Sequence, residues 1–286
     1  MMSSSAGSVD GISLRTMQSI DVSKGQGLSA RLLWPHRRED WAQMYRLSEG
    51  AVLETDDGSI IGTCFATLQG SYATIGLVIV DPAYQGRKLG QRLMKWAVDV
   101  AEGRSIVLNA TEAGLPLYEK LGFRSFNRVH QYQGQSVAEP SGLDSSRTRL
   151  ATPGDFDEIV HLADSSTAFS RQAVIAEFCA IAKKVVVVEE NGKVVGFGIS
   201  RPFGRGYAVG PVVAHSQEQA RQLVASLLTD MRESFVRIDV TDQSGLEDIV
   251  QASGLKPVGQ APMMVLGEEP PAAPARQFAV ASQALG

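Results

Sequence analysis

The hexapeptide Gln-Gly-Arg-Lys-Leu-Gly at residues 85–90 follows an apolar run and leads into an amphipathic segment. Because glycine lacks a side chain, Gly86 and Gly90 would leave backbone N–H groups uncovered at the start of a helix. Such N–H groups, at the positive end of the helix macrodipole, form a general binding site for an anion such as a phosphate. The same glycines would also serve a tight turn between a strand and a helix. The hexapeptide alone leaves both interpretations open.

Composition and charge exclude several classes of protein. The 286 residues are 44% hydrophobic and 20% charged, which is typical of a globular chain, and the net charge of −4 argues against nucleic acid as the main partner. The chain contains no apolar run near the ~20 residues of a membrane span, and its first residues lack the apolar region of a signal peptide. We therefore expect a soluble, cytoplasmic monomer or homodimer with no membrane partner.

The two cysteines, Cys64 and Cys179, lie far apart among apolar neighbours. This placement favours buried, reduced thiols over a disulfide. The histidines show no spacing typical of a metal site, so we expect no metal.

The chain repeats itself at an interval of 134 residues. Residues 56–94 align with residues 190–228, and the alignment pairs Gly58 with Gly192 and Gly62 with Gly196. Repetition over such a length indicates two copies of one fold of about 130 residues. We expect a first domain at 1–130, a polar linker at 131–146 and a second domain at 147–286, with a strand-like tail at its end.

The periodicity of apolar residues predicts the elements of the first copy. A strand near 12–18, two helices and a hairpin turning at Asp57-Gly58 precede a β-branched strand at 72–80. A helix over 86–102, a strand over 105–110, a helix over 114–121 and a final strand follow. The predicted fold class is α+β: in each copy, a twisted, mixed but mostly antiparallel sheet flanked by helices.

Two motifs and the order of elements resemble one family. The segment "VDPAYQGRKLG" resembles the pyrophosphate loop, Gln/Arg-x-x-Gly-x-Gly/Ala, of the GNAT superfamily of acetyl-CoA-dependent N-acetyltransferases. The segment "NATEAGLPLYEKLGF" resembles that family's second motif, in which a tyrosine precedes Leu-Gly-Phe. The resemblance covers nearly all of 12–130 and, more weakly, 147–268. It extends to a two-domain subgroup with an intact first domain and a degenerate second, in which a connection like "WPHRREDW" and an ending like "ASQALG" recur.

The loop departs from the family pattern at one position. Lys88 stands where the pattern has its first glycine, and Gly86 lies two residues earlier. With ordinary helical dihedral angles, Lys88 would still let the backbone present its amides and would add a positive charge near a phosphate. A requirement for positive φ at this position would weaken cofactor binding.

The resemblance implies acetyl-CoA as the cosubstrate and assigns residues to its parts. The main chain of Val78, Ile79 and Val80 would pair with the pantetheine arm at a splayed strand edge. The pyrophosphate would lie against the loop residues Gly86, Arg87, Lys88, Leu89, Gly90 and Gln91.

The resemblance also implies catalytic and acceptor-site residues. Tyr118 would be the general acid for the departing thiolate, and Asn109 would hold the substrate or a water molecule. The acceptor would contact Trp34, His36 and Thr74, the last of which stands where some members carry a glutamate base. Water, Glu112 and His36 all remain candidates for removing the proton from the amine.

The second copy lacks the loop glycines and the tyrosine, so we expect it to contribute structure and part of the acceptor pocket rather than a second cofactor site. The predicted activity is N-acetylation of a primary amine, favouring a small molecule, by direct attack in a ternary complex. The alternatives are a non-catalytic acyl-CoA-binding regulator and an acyltransferase for longer chains, for which Gly76 and Ala73 would leave room.

Overall fold

A computed structural model describes residues 6–9, 11–136, 147–229 and 231–286. The strands in these ranges are β1 (Ala6–Val9), β2 (Ile12–Thr16), β3 (Glu49–Thr55), β4 (Ile60–Gln69), β5 (Tyr72–Val80), β6 (Ser105–Asn109), β7 (Arg124–Gln135), β8 (Thr148–Leu150), β9 (Lys184–Glu190), β10 (Lys193–Phe203), β11 (Gly206–Ala214), β12 (Phe235–Thr241), β13 (Lys256–Leu266) and β14 (Arg276–Ala279).

The α-helices are α1 (Asp21–Arg31), α2 (Arg38–Leu47), α3 (Leu89–Ala101), α4 (Leu115–Lys120), α5 (Phe156–Thr167), α6 (Gln172–Ile181), α7 (Gln217–Leu228) and α8 (Glu247–Ala252). None of the helices in the described ranges has the length and apolarity needed to cross a membrane.

The predicted elements occur in the predicted order, and two boundaries differ. Helix α3 begins at Leu89 rather than at residue 86, because Gly86 and Lys88 have left-handed dihedral angles that no α-helix accommodates. Strand β7 continues to Gln135, so residues 131–135 belong to the sheet and not to the predicted linker. The rest of that linker, from residue 137, lies outside the described residues.

All the strands belong to one 14-stranded sheet with the order β1-β2-β3-β4-β5-β6-β13-β7-β12-β14-β11-β10-β9-β8. The two halves of the chain exchange strands at its centre. Strand β13, from the second half, pairs with β6 on one side and with β7 on the other. Strand β7, from the first half, in turn pairs with β12. Each half therefore contributes a strand to the sheet of the other. Hydrogen-bonded strand pairs cross the boundary between the predicted domains 1–130 and 147–286.

The internal repeat is visible as a duplicated ion-pair arrangement. In each half an arginine on the strand before the first helical segment donates to an aspartate of that segment and to a glutamate on the neighbouring strand. The members are Arg15, Asp21 and Glu54 in the first half, and Arg149, Asp155 and Glu189 in the second. The aspartates also accept the backbone N–H of Gln18 and of Thr152 respectively. The two halves thus begin with the same local structure.

Helices α1 and α2 hold the connection between them against the first half of the sheet. Trp41 of α2 is buried, and its Nε1 donates to Ser29 Oγ of α1 at 3.1 Å. Gly25 of α1 makes room for this ring, since a Cβ there would lie 2.4 Å from Trp41 Cζ3. Trp41 is therefore a core residue, whereas Trp34 and His36 lie in the connection between the two helices.

Candidate active site

Strand β5 separates from its parallel neighbour β6 halfway along its length. The pairing runs from Tyr72 opposite Ser105 to Ile75 opposite Leu108 and goes no further. Beyond it Leu77 has a φ of +49°, and the register with β4 shifts at this point. The carbonyl of Leu77 accepts the hydroxyl of Thr63 at 2.9 Å. Within the described residues, no strand covers the edge of β5 beyond Ile75 on the side of β6.

The loop before α3 presents unpaired backbone amides. From Gly86 to Gln91 no backbone N–H has an acceptor among the described residues, and the first bond of α3 runs from Arg92 N to Lys88 O at 3.1 Å. Gly86 has a φ of +80° and no atom within 4 Å of the position of a Cβ. The exposed N–H groups at the start of a helix are an arrangement that suits an anion.

Lys88 has a φ of +59° and a ψ of +17°, so it takes the left-handed conformation that glycine takes easily. The position of Lys88 therefore has the positive φ that, as the sequence analysis stated, disfavours a residue other than glycine. A side chain in this conformation costs about 1–2 kcal/mol. The side chains of Lys88 and Arg87 are exposed, and the Arg87 guanidinium lies 5.4 Å from the centre of the Tyr84 ring. Leu89, the next residue, is buried and anchors the helix in the core.

In the equivalent segment of the second half, side chains cap the start of the helix. Helix α7 begins at Gln217, which aligns with residue 83, and so includes the residues that form the loop in the first half. Ser216 Oγ accepts the N–H of Gln219 at 3.2 Å, and Gln219 Oε1 accepts the N–H of Ser216 and of His215. Side chains thus occupy the positions that an anion would need.

A cavity of about 370 Å³ lies between the two halves. The first half contributes residues from the connection before α2, from β5 and β6, and from α4. The second half contributes β10 to β12 and the tail after β14. Its lining includes Trp34, His36, Gly76, Val78, Asn109, Tyr118, Arg201, Phe203, Arg205, Arg237, Asp239 and Gln283.

Tyr118 is 7% exposed and faces this cavity without a hydrogen bond to any described residue. Burial, together with the nearby Cys64 thiol, raises the pKa of Tyr118 well above its ordinary value, so the phenol keeps its proton at neutral pH. Gly114 makes room for the ring, because a Cβ there would lie 2.7 Å from Tyr118 Cε2. A protonated phenol that is not already engaged can donate its proton to a nearby group.

Asn109 lies at the end of β6 and is held by the tail. Its Nδ2 donates to the carbonyl of Gln283 at 2.8 Å, while its Oδ1 is buried without a partner in the described structure. The fixed amide therefore presents a free acceptor to the cavity.

His36 is part of an aromatic wall. Its ring centre lies 5.9 Å from that of Trp34 and 5.3 Å from that of Phe203, a residue of the second half. Burial, with the charge of Arg237 as the next contribution, lowers the pKa of His36 to about 4. The imidazole is therefore neutral at pH 7, and its buried Nδ1 has no partner among the described residues.

Several predicted residues lie outside the cavity wall. Thr74 is 1% exposed, and its hydroxyl oxygen accepts a hydrogen bond from Gln69 Nε2 at 3.0 Å. Thr74 therefore does not contact the space in which an acetyl acceptor would bind. Glu112 is exposed and is not among the residues of the cavity wall. The side chains of Ile79 and Val80 also do not reach the wall, but the sequence assigned only their main chain to the pantetheine arm, so that assignment stays a prediction. Of the strand residues assigned to the pantetheine arm, Val78 reaches the wall.

The structure also bears on the expected space at Gly76 and on the expected burial of Cys64. The space expected at Gly76 is filled by the tail, because a Cβ on Gly76 would lie 2.5 Å from the Cβ of Ala284. Cys64 is buried, and burial raises the pKa of its thiol far above the ordinary value, which keeps it protonated.

The arginines of the second half were missed by sequence reasoning. Arg201, Arg205 and Arg237 line the cavity together with Phe203. A signal was available in "SRPFGRG" at 200–206, since a charged Arg201 follows the largely apolar run "VVGFGI". The expectation that the second half would form part of the pocket named none of these residues.

Comparison with protein families identifies both halves. Residues 47–125 and residues 159–279 each match a family model described as an acetyltransferase (GNAT) domain. The uncharacterised N-acetyltransferase YitH of Bacillus subtilis is 28% identical over 233 residues, which are 80% of this chain and 82% of that protein. A glucosamine 6-phosphate N-acetyltransferase of Trypanosoma brucei brucei is 32% identical over 81 residues, 25% of this chain and 55% of that one.

Solved structures share the fold of the whole chain. A crystal structure from Pyrococcus horikoshii superposes with a TM-score of 0.82 at 18% identity and covers 98% of both chains. A GCN5-related N-acetyltransferase from Sphaerobacter thermophilus superposes with a TM-score of 0.64 at 13% identity, over 93% of this chain and 98% of that one. These likenesses confirm the predicted α+β class and the tandem arrangement.

Proposed function

We propose, since this chain belongs to the GNAT acetyltransferase family and carries two of its domains in tandem, that it transfers the acetyl group of acetyl-CoA to a primary amine of a small molecule. The first half would carry the chemistry. The second half would supply one wall of the acceptor cavity.

The observation that carries this proposal is the row of unpaired amides from Gly86 to Gln91. Backbone N–H groups at a helix start bind phosphates through hydrogen bonds and the helix dipole, so this row fits the diphosphate of coenzyme A. The open edge of β5 beyond Ile75 fits the pantetheine arm, whose amides can pair with a strand. Acetyl-CoA supplies the thioester when it is bound.

The residues around the cavity suit direct transfer. In this step the nitrogen of the neutral amine forms a bond to the acetyl carbon while the carbon–sulfur bond breaks. The sulfur takes up one proton, the nitrogen gives up one to water, and the proton donor is then reprotonated from water. Tyr118, which keeps its proton at neutral pH, would donate the proton that the sulfur takes up. Asn109 Oδ1 and the neutral imidazole of His36 are free acceptors that can orient an amine N–H. A cavity of about 370 Å³ suits a small acceptor better than a protein segment.

One observation favours the alternative of a non-catalytic acyl-CoA-binding regulator. The carboxylates in the cavity wall, Asp40 and Asp239, both accept hydrogen bonds from arginines, so neither is available as a base. Turnover decides between the two functions, because only the enzyme releases free thiol in an amine-dependent reaction.

The test of catalysis is thiol release from acetyl-CoA with a panel of amines. We expect release that depends on the amine, and we expect Tyr118→Phe to lower kcat by about a hundredfold, since a positioned acid contributes at least that much. The affinity for coenzyme A, measured by calorimetry, should stay unchanged in this variant. An unaltered rate in Tyr118→Phe would remove the phenol from the mechanism.

The test of the cofactor site is calorimetry with coenzyme A on the Gly90→Glu variant, which places a carboxylate among the free amides. A Cβ at residue 90 would meet only Leu117 Cδ2, at 3.2 Å, so the fold should tolerate the change. The matched control, Lys95→Glu, puts the new charge on the exposed face of the same helix. We expect Gly90→Glu to abolish the heat of binding and the control to retain it. A wild-type chain that gives no heat with coenzyme A would end the proposal.

A further inference from the structure

Arg201, near the end of β10, is a buried cation that forms no ion pair with a described residue. The residue is 2% exposed, and its Nη2 donates to the carbonyl of Ala281 at 3.0 Å. Its Nε and Nη1 are buried and have no acceptor, and no carboxylate of the described residues forms an ion pair with it. The side chain lines the cavity between the two halves.

The fold alone does not account for this arrangement. Burying an unpaired charge is costly, and buried polar atoms in folded proteins nearly always have partners. The guanidinium carbon lies 3.9 Å from the centre of the Phe178 ring and 5.2 Å from that of Phe203, which offsets part of the cost. Burial lowers the pKa of Arg201 to about 10, so the group still carries its charge at neutral pH. The unpaired donors are left for a ligand.

Other cations extend the same end of the cavity. The guanidinium of Arg237 lies 5.6 Å from the Phe203 ring, so Arg201 and Arg237 flank one aromatic side chain. Arg205 also lines the cavity and is exposed.

The carboxylates at this end are already engaged. Asp239 accepts Nε and Nη2 of Arg237. Asp40 accepts the guanidinium of Arg37 and the backbone N–H of Gly204. Since each carboxylate neutralises one neighbouring arginine, Arg201 and Arg205 leave an excess of positive charge.

We propose that the acceptor carries, besides its amine, a carboxylate or a phosphate that binds to Arg201, with Arg205 and Arg237 completing the anion site. The inference rests on the proposed function for the amine, which would lie toward Tyr118 and Asn109 on the wall contributed by the first half. One end of the acceptor is thus recognised by the first half of the chain, and its anionic end by the second. Arg201 acts as a specificity-determining residue.

The first experiment compares acceptors that differ only in the anion. The pairs are 4-aminobutyrate with butylamine, and glucosamine 6-phosphate with glucosamine, so that one pair tests a carboxylate and the other a phosphate. We expect kcat/KM to be higher for the anionic member of at least one pair by about tenfold to a hundredfold, the value of hydrogen bonds to a charged group. Equal values within both pairs would overturn the inference.

The Arg201→Met variant should remove this preference. Its length and apolar stem preserve packing against Phe178 while the charge is lost. We expect KM for the anionic acceptor to rise by about the factor by which wild type prefers it over the neutral acceptor. KM for the neutral acceptor should change little. An equal loss for both acceptors would show a structural role and would contradict the inference. The control is Arg46→Met, which removes an exposed arginine that is paired with Glu177 away from the cavity.

A second measurement does not depend on acetyl transfer. Titration of the full chain with amine-free anions, butyrate and inorganic phosphate, can be followed by calorimetry. We expect saturable binding of at least one anion to wild type and to Arg46→Met, and a loss of about tenfold or more in affinity in Arg201→Met. Absence of binding to wild type would overturn the inference.

The two measurements separate the possible failures. If no amine is acetylated but an anion binds through Arg201, the proposed function fails and the anion site stands. If Arg201→Met does not fold, Arg205→Gln replaces it, because Arg205 is exposed and its loss does not disturb the core. An anion affinity that Arg205→Gln leaves unchanged would then count against the site.

Discussion

At the scale of single residues, the cavity is defined by polar groups that the fold buries without using. His36, Asn109 and Arg201 come from different parts of the chain, and each has a buried polar atom without a partner among the described residues. Such groups destabilise a protein unless a ligand or water satisfies them. Their convergence on one cavity is the main reason to assign a chemical role to this space rather than to the smaller gaps in the molecule.

His36 gives a prediction about stability and pH. Its pKa is about 4 in the folded chain and 6.5 as the ordinary value, so between these values the unfolded chain binds a proton that the folded chain does not. Stability must therefore fall as the pH falls from about 7 to about 4, and the loss should reach about 2–3 kcal/mol.

The measurement is urea unfolding of wild type and His36→Gln over this pH range. Glutamine does not titrate, so the variant should lack this part of the acid sensitivity, and the two unfolding free energies should converge or cross as the pH is lowered. Curves that stay parallel from pH about 7 to about 4 would show that His36 is not buried in its neutral form.

At the scale of elements, one aligned segment forms two different structures. In the first half, residues 82–88 form a short 3-10 turn and a loop before α3, and in the second half their counterparts form the first turns of α7. Ser216 and Gln219 make a capping box that starts α7 early, whereas Gly86 and Lys88 with positive φ delay the start of α3. A few residues thus decide whether the helix start is open to an anion.

The conformation of Lys88 can be separated from its charge. Lys88→Gly and Lys88→Val remove the same charge, but only glycine takes a φ of +59° without strain, and a β-branched residue is the least suited to it. We expect Lys88→Gly to keep its affinity for coenzyme A to within about threefold and Lys88→Val to lose about tenfold or more, because strain of 1–2 kcal/mol is relieved by moving the loop. Calorimetry with coenzyme A measures both. Equal losses would show that the charge, and not the backbone, matters.

At the scale of the whole molecule, local patterns predicted far more of the fold than of the site. Strand 72–80 and the two motifs were predictable because alternation, turn residues and glycines act within a few positions. The exchange of β7 and β13 was not, since the sequence does not say which of two similar halves a strand will join. Arg201 was missed for a related reason: its role depends on the tail and on Phe178, both distant in sequence.

The exchange predicts how the halves behave when they are separated. A fragment of residues 1–136 would lack β13, the strand that lies between β6 and β7. A fragment of residues 147–286 would lack β7, the strand that lies between β12 and β13. Unpaired strand edges favour aggregation over folding. We expect each fragment to be insoluble or unfolded when it is made alone, and the two together to form a soluble one-to-one complex that binds coenzyme A. Circular dichroism and size-exclusion chromatography are the measurements. A first fragment that folds alone and binds coenzyme A would show that 1–130 is an independent unit.

The position of β13 also has a consequence for the order of events during protein synthesis. The ribosome makes the loop before α3 and Tyr118 long before it makes residues 256–266, yet β6, which carries Asn109 and pairs with β5 on one side, finds its second neighbour only when those residues have emerged. The nascent chain must therefore wait, with its first sheet incomplete, until residues 256–266 have been translated. A premature stop codon between residues 136 and 256 would consequently disable the half that carries the proposed catalytic residues as well, although it deletes none of its motifs.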